Sequence, residues 1–379
     1  MISLDNNNSR ATAWKSQTET FAAHAARMHV PLRATFELTA RCSLKCKMCY
    51  VALDASQVKK EGRELTAAEW LSIGRQTAVA GTLFLLLTGG EPLLRDDFEE
   101  IYTELCHMGF IITLATNATL MSERYFKLFS RYPPTAVMVT LYGASSETYE
   151  KICGSAAGFE KTIRGLEMFS KIPTNIEVRT TFIKDNVGEL EQLRAISKRF
   201  TNRFGMNNLV FKSNRSVTSD AESCRLTPGQ CMEIEAENRK YYENLEESER
   251  EPVDPEVEEY FRSLSPDRDF GLGIPPKIIA CLASKSMYSM TWDGKMLPCL
   301  TFESPYTLPF EEGFVNAWNR LPTLFDNIKH PKACYECDLI SGCPNCPGYM
   351  QIETGEFEKL SPYFCAVAKE RMAWYTKSV

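Results

Sequence analysis

Three cysteines stand together at Cys42, Cys46 and Cys49, in the segment RCSLKCKMCY with spacing C-x3-C-x2-C. Thiolate sulfur binds zinc, and it binds the irons of iron–sulfur clusters. A closed site of either type takes four protein ligands. Three therefore imply a distant fourth ligand or one open metal position. A second segment, LLLTGGEPLLR, carries Gly89, Gly90, Glu91 and Pro92. Paired glycines let backbone approach a ligand closely. Glu91 adds a carboxylate, and Pro92 can open the following segment with a fixed φ. Seven more cysteines crowd the last hundred residues: Cys281, Cys299, Cys334, Cys337, Cys343, Cys346 and Cys365. Two C-x2-C pairs among them also describe a zinc ribbon, although that would leave three clustered cysteines idle. Cys106, Cys153, Cys224 and Cys231 are scattered and read as small buried hydrophobes.

The chain around these motifs has 379 residues, 44% of them hydrophobic and 24% charged, which is a globular composition. A net charge of −6 weighs against nucleic acid as a partner. The densest apolar run, TLFLLL, is strand-sized, so no membrane span is expected. The segment MISLDNNNSRATAWK has no apolar signal core. Fourteen cysteines without such a signal point to a reducing cytoplasm, where clustered thiols serve metals rather than disulfides.

The elements that must position the motifs alternate. Strand-like segments are RATFELT, TLFLLLT, FIITLAT, AVMVTLY, NIEVRTTF and NLVFK. Helix-like stretches between them include TAAEWLSIGRQTAVA, DDFEEIYTELCHM, SERYFKLFSRY and GELEQLRAISKRF. Six β/α units over residues 34–235 predict an α/β fold, a partial (β/α)6 barrel of the TIM type, short of the eight units of a closed one. The cysteine segment directly follows the first strand, on the face where such barrels build active sites. Residues 1–33 read as an N-terminal helical extension. Residues 236–276 read as an acidic helix and linker, with eleven acidic and three basic residues in 243–269. From 277 to 379 periodicity fades, and a small metal-stapled domain is expected.

Taken together, Cys42, Cys46, Cys49 and the Gly89-Gly90-Glu91-Pro92 segment on a six-unit β/α run resemble the radical S-adenosylmethionine (SAM) enzymes. The resemblance implies a [4Fe–4S] cluster on the three cysteines, with the open iron holding the amino and carboxylate groups of SAM. It implies that Gly89, Gly90, Glu91 and Pro92 hold the methionine amino group. ATNATL, with Thr116 and Asn117, and TLYGASSETYEKICG, with Thr140 and Tyr142, resemble the family's third- and fourth-strand segments. These residues are candidate SAM contacts, as are Arg179 and Tyr50. Met48 stands where the family often has an aromatic beside the adenine, and Tyr50 is a candidate substitute. The implied chemistry is reductive cleavage of SAM to methionine and a 5′-deoxyadenosyl radical, which abstracts a substrate hydrogen. The C-terminal cysteines resemble the family's SPASM domain, which implies two auxiliary [4Fe–4S] clusters. One would sit on Cys334, Cys337, Cys343 and Cys365, the other on Cys281, Cys299 and Cys346.

The same resemblance implies a peptide-modifying enzyme that acts on a ribosomally made precursor peptide. It would form a thioether or carbon–carbon crosslink, or epimerise a residue. A flavodoxin- or ferredoxin-type reductant is implied, and a separate leader-binding protein is a further expected partner. The alternatives are a small-molecule enzyme acting on a porphyrin or aminosugar, a sulfatase maturase, and a zinc-stapled binding protein. Leu300 after Cys299 counts against the sulfatase maturases, which carry an aspartate there. No catalytic acid or base is identified.

Overall fold

A computed structural model describes residues 22, 24–51, 53–213, 219–244, 282–325, 328–329, 331–344 and 346–377. The described residues of Pro31–Thr227 and Met287–Asn327 form one compact unit. Those of Met1–Val30, Pro228–Ser286 and Ile328–Val379 form a second.

The first unit is built on strands β1 (Arg33–Glu37), β2 (Phe84–Thr88), β3 (Ile111–Thr116), β4 (Ala136–Thr140), β5 (Asn175–Thr181) and β6 (Phe204–Asn207). Each pairs in parallel with the next. The connecting helices include α1 (Ala55–Glu61), α2 (Ala67–Val79), α3 (Phe98–His107), α4 (Glu123–Arg131), α5 (Ser146–Cys153), α6 (Ala157–Phe169) and α7 (Leu190–Lys198). Two more strands, β7 (Met287–Met290) and β8 (Met296–Leu297), extend the sheet beyond β1 in the order β6-β5-β4-β3-β2-β1-β7-β8. Because β6 and β8 end this order, the structure is the expected open, partial barrel.

Strand residues alternate between two faces. One face is buried and carries Phe36, Leu85, Leu87, Leu114, Val137, Val139 and Val178. Helices cover it: Trp70 of α2 packs on Phe36 with ring centroids 5.1 Å apart, and Phe129 of α4 meets Phe169 of α6 at 5.7 Å. Burial of each such large side chain contributes about 1.5–3 kcal/mol. The other face, with Thr35, Leu86, Thr113, Ala115, Met138, Thr140 and Glu177, is half-exposed and lines the concave side.

Helix starts follow local chemistry. At α2, Thr66 accepts from the Glu69 amide while Glu69 reaches back to the Thr66 amide. Ser122 takes the expected cap position before α4 but makes no side-chain bond to it.

Two expectations are corrected. NLVFK (residues 208–212) is not a strand. The sixth strand is FGMN, just before it. A Cβ on Gly205 would lie 2.8 Å from Glu177 Oε1, a contact that this side chain can relieve by turning away. Residues 287–327 begin no separate body. Tyr288 sits in the core beside Phe314 and Trp318 and bonds Thr77 Oγ1 at 2.9 Å.

In the second unit, α8 (Pro228–Glu243) lies along α10 (Pro362–Lys377), with α9 (Pro347–Thr354) between them in sequence. Arg371 pairs with Glu235 at 2.5 Å, Arg239 stands over the Trp374 ring at 4.7 Å, and the buried Cys231 lies 3.6 Å from Tyr363 Oη. The acidic stretch 245–269 and most of residues 1–33 lie outside the described residues.

Candidate metal and cofactor site

Cys42, Cys46 and Cys49 lie in the loop after β1, with Cys46 buried and the other two half-buried. The loop is fastened on three sides. The Lys45 and Lys47 amides donate to the Cys153 and Ile152 carbonyls at the end of α5, at 2.9 and 3.0 Å. The Gly90 and Glu91 amides donate to the Thr39 and Arg41 carbonyls at 2.8 and 2.9 Å. Arg41 makes a two-point bond to Glu64, at 3.0 and 2.8 Å, and Glu64 also accepts from the Thr39 hydroxyl. Buried Arg95 closes the layer by donating to the Leu38 and Leu65 carbonyls and pairing with Asp97. Lys47 pairs with Asp185 at 2.7 Å.

This geometry explains the glycine pair. A Cβ on Gly89 would lie 2.4 Å from the Thr39 carbonyl oxygen, and one on Gly90 would lie 2.3 Å from that of Arg41. Gly89 also has φ +145°, open to glycine and strained for other residues. The close approach that these glycines permit is to the cysteine loop itself.

Glu91 is fully buried. It accepts from the Leu93 amide at 3.1 Å, the Thr116 hydroxyl at 2.7 Å and the Asn117 amide at 2.8 Å. Burial pushes its carboxyl up to about 7, against the pull of these donors. Glu91 thereby locks the end of β2 to the end of β3. Pro92 opens a 3-10 turn, as its position predicts.

The thiols share one electrostatic environment. Burial pushes the Cys42 thiol up, and Glu91, Cys46 and Cys49 push the same way. Cys46 is raised first by a hydrogen bond with the Cys153 thiol and then by burial, while the Tyr142 hydroxyl pulls it down. Burial raises the Tyr142 phenol, with Cys46, Cys153, Cys42 and Cys49 adding to it. Thiols that burial and their neighbours hold protonated are a donor set that a cationic cluster stabilises by displacing their protons. The residues present fit a cluster of that kind.

The remaining candidates are spread over the strand ends. Thr140 ends β4 opposite Arg179 of β5. Arg179 is paired with Glu177 through bonds of 2.6 and 3.2 Å. Tyr50 packs on the cluster of Ala40, Val51, Leu53, Val58 and Trp292, with its ring 6.1 Å from Phe211. Met48 is buried.

In the second unit, burial pushes the Cys334 thiol up to about 11, and Cys343, Cys365 and Cys337 act in the same direction. Cys365 is raised by burial and then by Cys337. These four thiols therefore feel one another. Arg371, on the helix that carries Cys365, donates to the Gly342 carbonyl at 2.8 Å and braces the turn before Cys343. Cys346 takes the position before α9 without a side-chain bond to the helix. Cys299 belongs to the first unit, where it accepts from the Thr301 hydroxyl at 3.5 Å. Cys281 lies outside the described residues. Among the described residues no three His, Cys, Asp or Glu side chains converge closely enough to hold a single metal ion.

The spacing signals do not reveal Glu64, Arg95, Asp185 or Cys153, because each meets the cysteine loop from a distant part of the chain. Arg41 and Lys47, charged residues inside the motif, are the hint the sequence offers. Of the scattered cysteines, Cys153, Cys224 and Cys231 are buried as expected, whereas Cys106 is half-exposed.

Comparison with known proteins bears on this geometry. Residues 36–195 match the radical SAM superfamily. An AdoMet-dependent heme synthase of Methanosarcina barkeri is 25% identical over 351 residues, covering 88% of this chain and 96% of that one. A PqqA peptide cyclase of Rhizobium meliloti is 25% identical over 293 residues, covering 74% and 70%. Among solved structures, Streptococcus suis SuiB bound to its precursor peptide SuiA superposes with a TM-score of 0.66 at 17% identity, covering 92% and 80%. AdoMet-bound anSMEcpe gives 0.65 at 17% identity, covering 92% and 98%.

Proposed function

We propose that this chain, which carries a radical SAM domain, is a peptide-modifying enzyme that acts on a ribosomally made precursor. The observation that carries the reading is the cysteine loop, fixed through its backbone against the Gly89-Gly90 segment at the mouth of an open parallel barrel. The radical SAM family uses a [4Fe–4S] cluster and SAM, and in this reading the bound pair supplies reductive cleavage of SAM and a radical able to take a substrate hydrogen.

The chain's own residues do the rest. Cys42, Cys46 and Cys49 would hold the cluster. Gly90, Glu91 and the bonded Thr116–Asn117 segment keep the adjoining strand ends in one shape. Thr140, Tyr142, Arg179 and Tyr50 would contact SAM. The helix-covered sheet excludes water from one side. Cys334, Cys337, Cys343 and Cys365 would hold an auxiliary cluster, and Cys281, Cys299 and Cys346 a second. A flavodoxin- or ferredoxin-type protein would supply electrons, a separate protein could read the leader, and the reducing cytoplasm would keep the thiols free.

A second reading rests on the heme synthase relative, which this chain matches over nearly its full length. Its substrate class would be a tetrapyrrole.

Anaerobically reconstituted protein tests the proposal. It should approach ~12 irons per chain, the content of three four-iron clusters. With a reductant it should release 5′-deoxyadenosine, and Cys42→Ala, Cys46→Ala or Cys49→Ala should each abolish that release. Near-stoichiometric zinc with little iron would refute the reading. Incubation with a short peptide encoded beside the gene should remove two hydrogens from it, or exchange one with solvent. A tetrapyrrole altered in its place would select the second reading.

A further inference from the structure

One side chain beside the cysteine loop does more than brace it. Asn117, at the end of β3, is only 4% exposed, and its other polar groups are occupied. Its amide donates to Glu91 Oε2 at 2.8 Å, and its carbonyl accepts from Thr162 Oγ1 at 3.0 Å. Its side-chain oxygen accepts twice from Thr119, from the amide at 2.9 Å and the hydroxyl at 2.6 Å. Two donors on Oδ1 settle which end of the carboxamide points where. The NH2 group must face the other way, and it lies 3.6 Å from Cys42 Sγ and 3.5 Å from Ser43 Oγ. The Leu44 amide donates to the same sulfur from 3.4 Å.

We propose that Asn117 sets the reduction potential of the cluster on the three cysteines by donating a hydrogen bond to the Cys42 thiolate. The inference rests on the reading of Cys42 as a cluster ligand. Reduction adds negative charge, which spreads onto the ligating sulfurs. An N–H aimed at one of them favours the reduced state and raises the potential. Asn117 is buried and Cys42 half-buried, so the bond lies in partly shielded surroundings that strengthen it. Because the Asn117 backbone amide is bonded to Glu91, the donor is placed by the same carboxylate that locks β2 to β3. Asn117 is thus a positioning residue for the electron, acting through Cys42.

Asn117→Asp and Asn117→Leu together separate loss of the donor from added charge. An aspartate still accepts from Thr119 but cannot donate to sulfur. Asn117→Leu removes the donor without adding charge. The readout is the midpoint potential of the electron paramagnetic resonance signal that changes when SAM is added. Both variants should hold wild-type iron and titrate at a lower potential than wild type. Spectra in deuterated water should show one exchangeable-proton coupling lost in Asn117→Asp, a readout that stands if the leucine variant fails to load iron. An unchanged midpoint in Asn117→Asp, retention of every coupling, or a shift in the aspartate variant alone overturns the proposal. Absence of any SAM-responsive signal in the wild type overturns the cluster assignment instead.

Discussion

At the scale of single residues, the site couples charge to burial. Glu91 is a carboxylate held at about 7 rather than the usual 4.5 because burial outweighs its three donors. An unfolded chain ionises this group near 4.5 and the folded chain near 7, so between these values the folded state carries the extra proton. The stability it lends is complete below the lower value and is lost as pH rises through the upper one. The span is worth roughly 3 kcal/mol. Urea midpoints measured across this window should fall with rising pH in the wild type and lose most of that decline in Glu91→Gln. Parallel profiles for the two proteins would assign the slope to other groups. Arg41, Glu64 and Arg95 act differently, because together with Asp97 their charges are matched within one bonded layer that braces the loop.

At the scale of elements, the decisive contact is between two loops rather than two helices. Gly90→Ala would force a methyl group to within 2.3 Å of the Arg41 carbonyl oxygen. Backbone must shift to admit it, at a cost on the order of 2–4 kcal/mol and with loss of iron binding. Gly229, in the first turn of α8, has open space where its Cβ would be. Gly229→Ala should leave iron content unchanged and raise the thermal midpoint by a few degrees. Thermal melts of the two variants, read with iron content, check the contrast. Strands β1 to β5 were legible because branched, aromatic and other apolar residues are dense along them. Strand β6 was not, since its glycine and asparagine are poor strand formers. The cysteines were legible because their spacing is local. Glu64, Arg95 and Cys153 were hidden because their contacts to the loop exist only after folding.

At the scale of the whole molecule, the strand bearing the cysteine loop is interior to the sheet. Strand β2 flanks it on one side and β7 on the other, with Arg33 opposite Met287. A chain cut after residue 276 would leave β1 as an exposed edge and strip Tyr288 from its place beside Thr77. Such a fragment should aggregate on expression and, where recovered, bind little iron. A soluble fragment with a full first cluster would show that β7 is dispensable.

The placement of β7 also orders events in time. A ribosome delivers β1 and its three cysteines early, whereas the strand that completes their setting emerges only when most of the chain has been made. Until then the thiols sit beside an unfinished edge, open to stray metals and to oxidation. In the proposed reading, insertion of a cluster into the finished loop would therefore follow synthesis of β7.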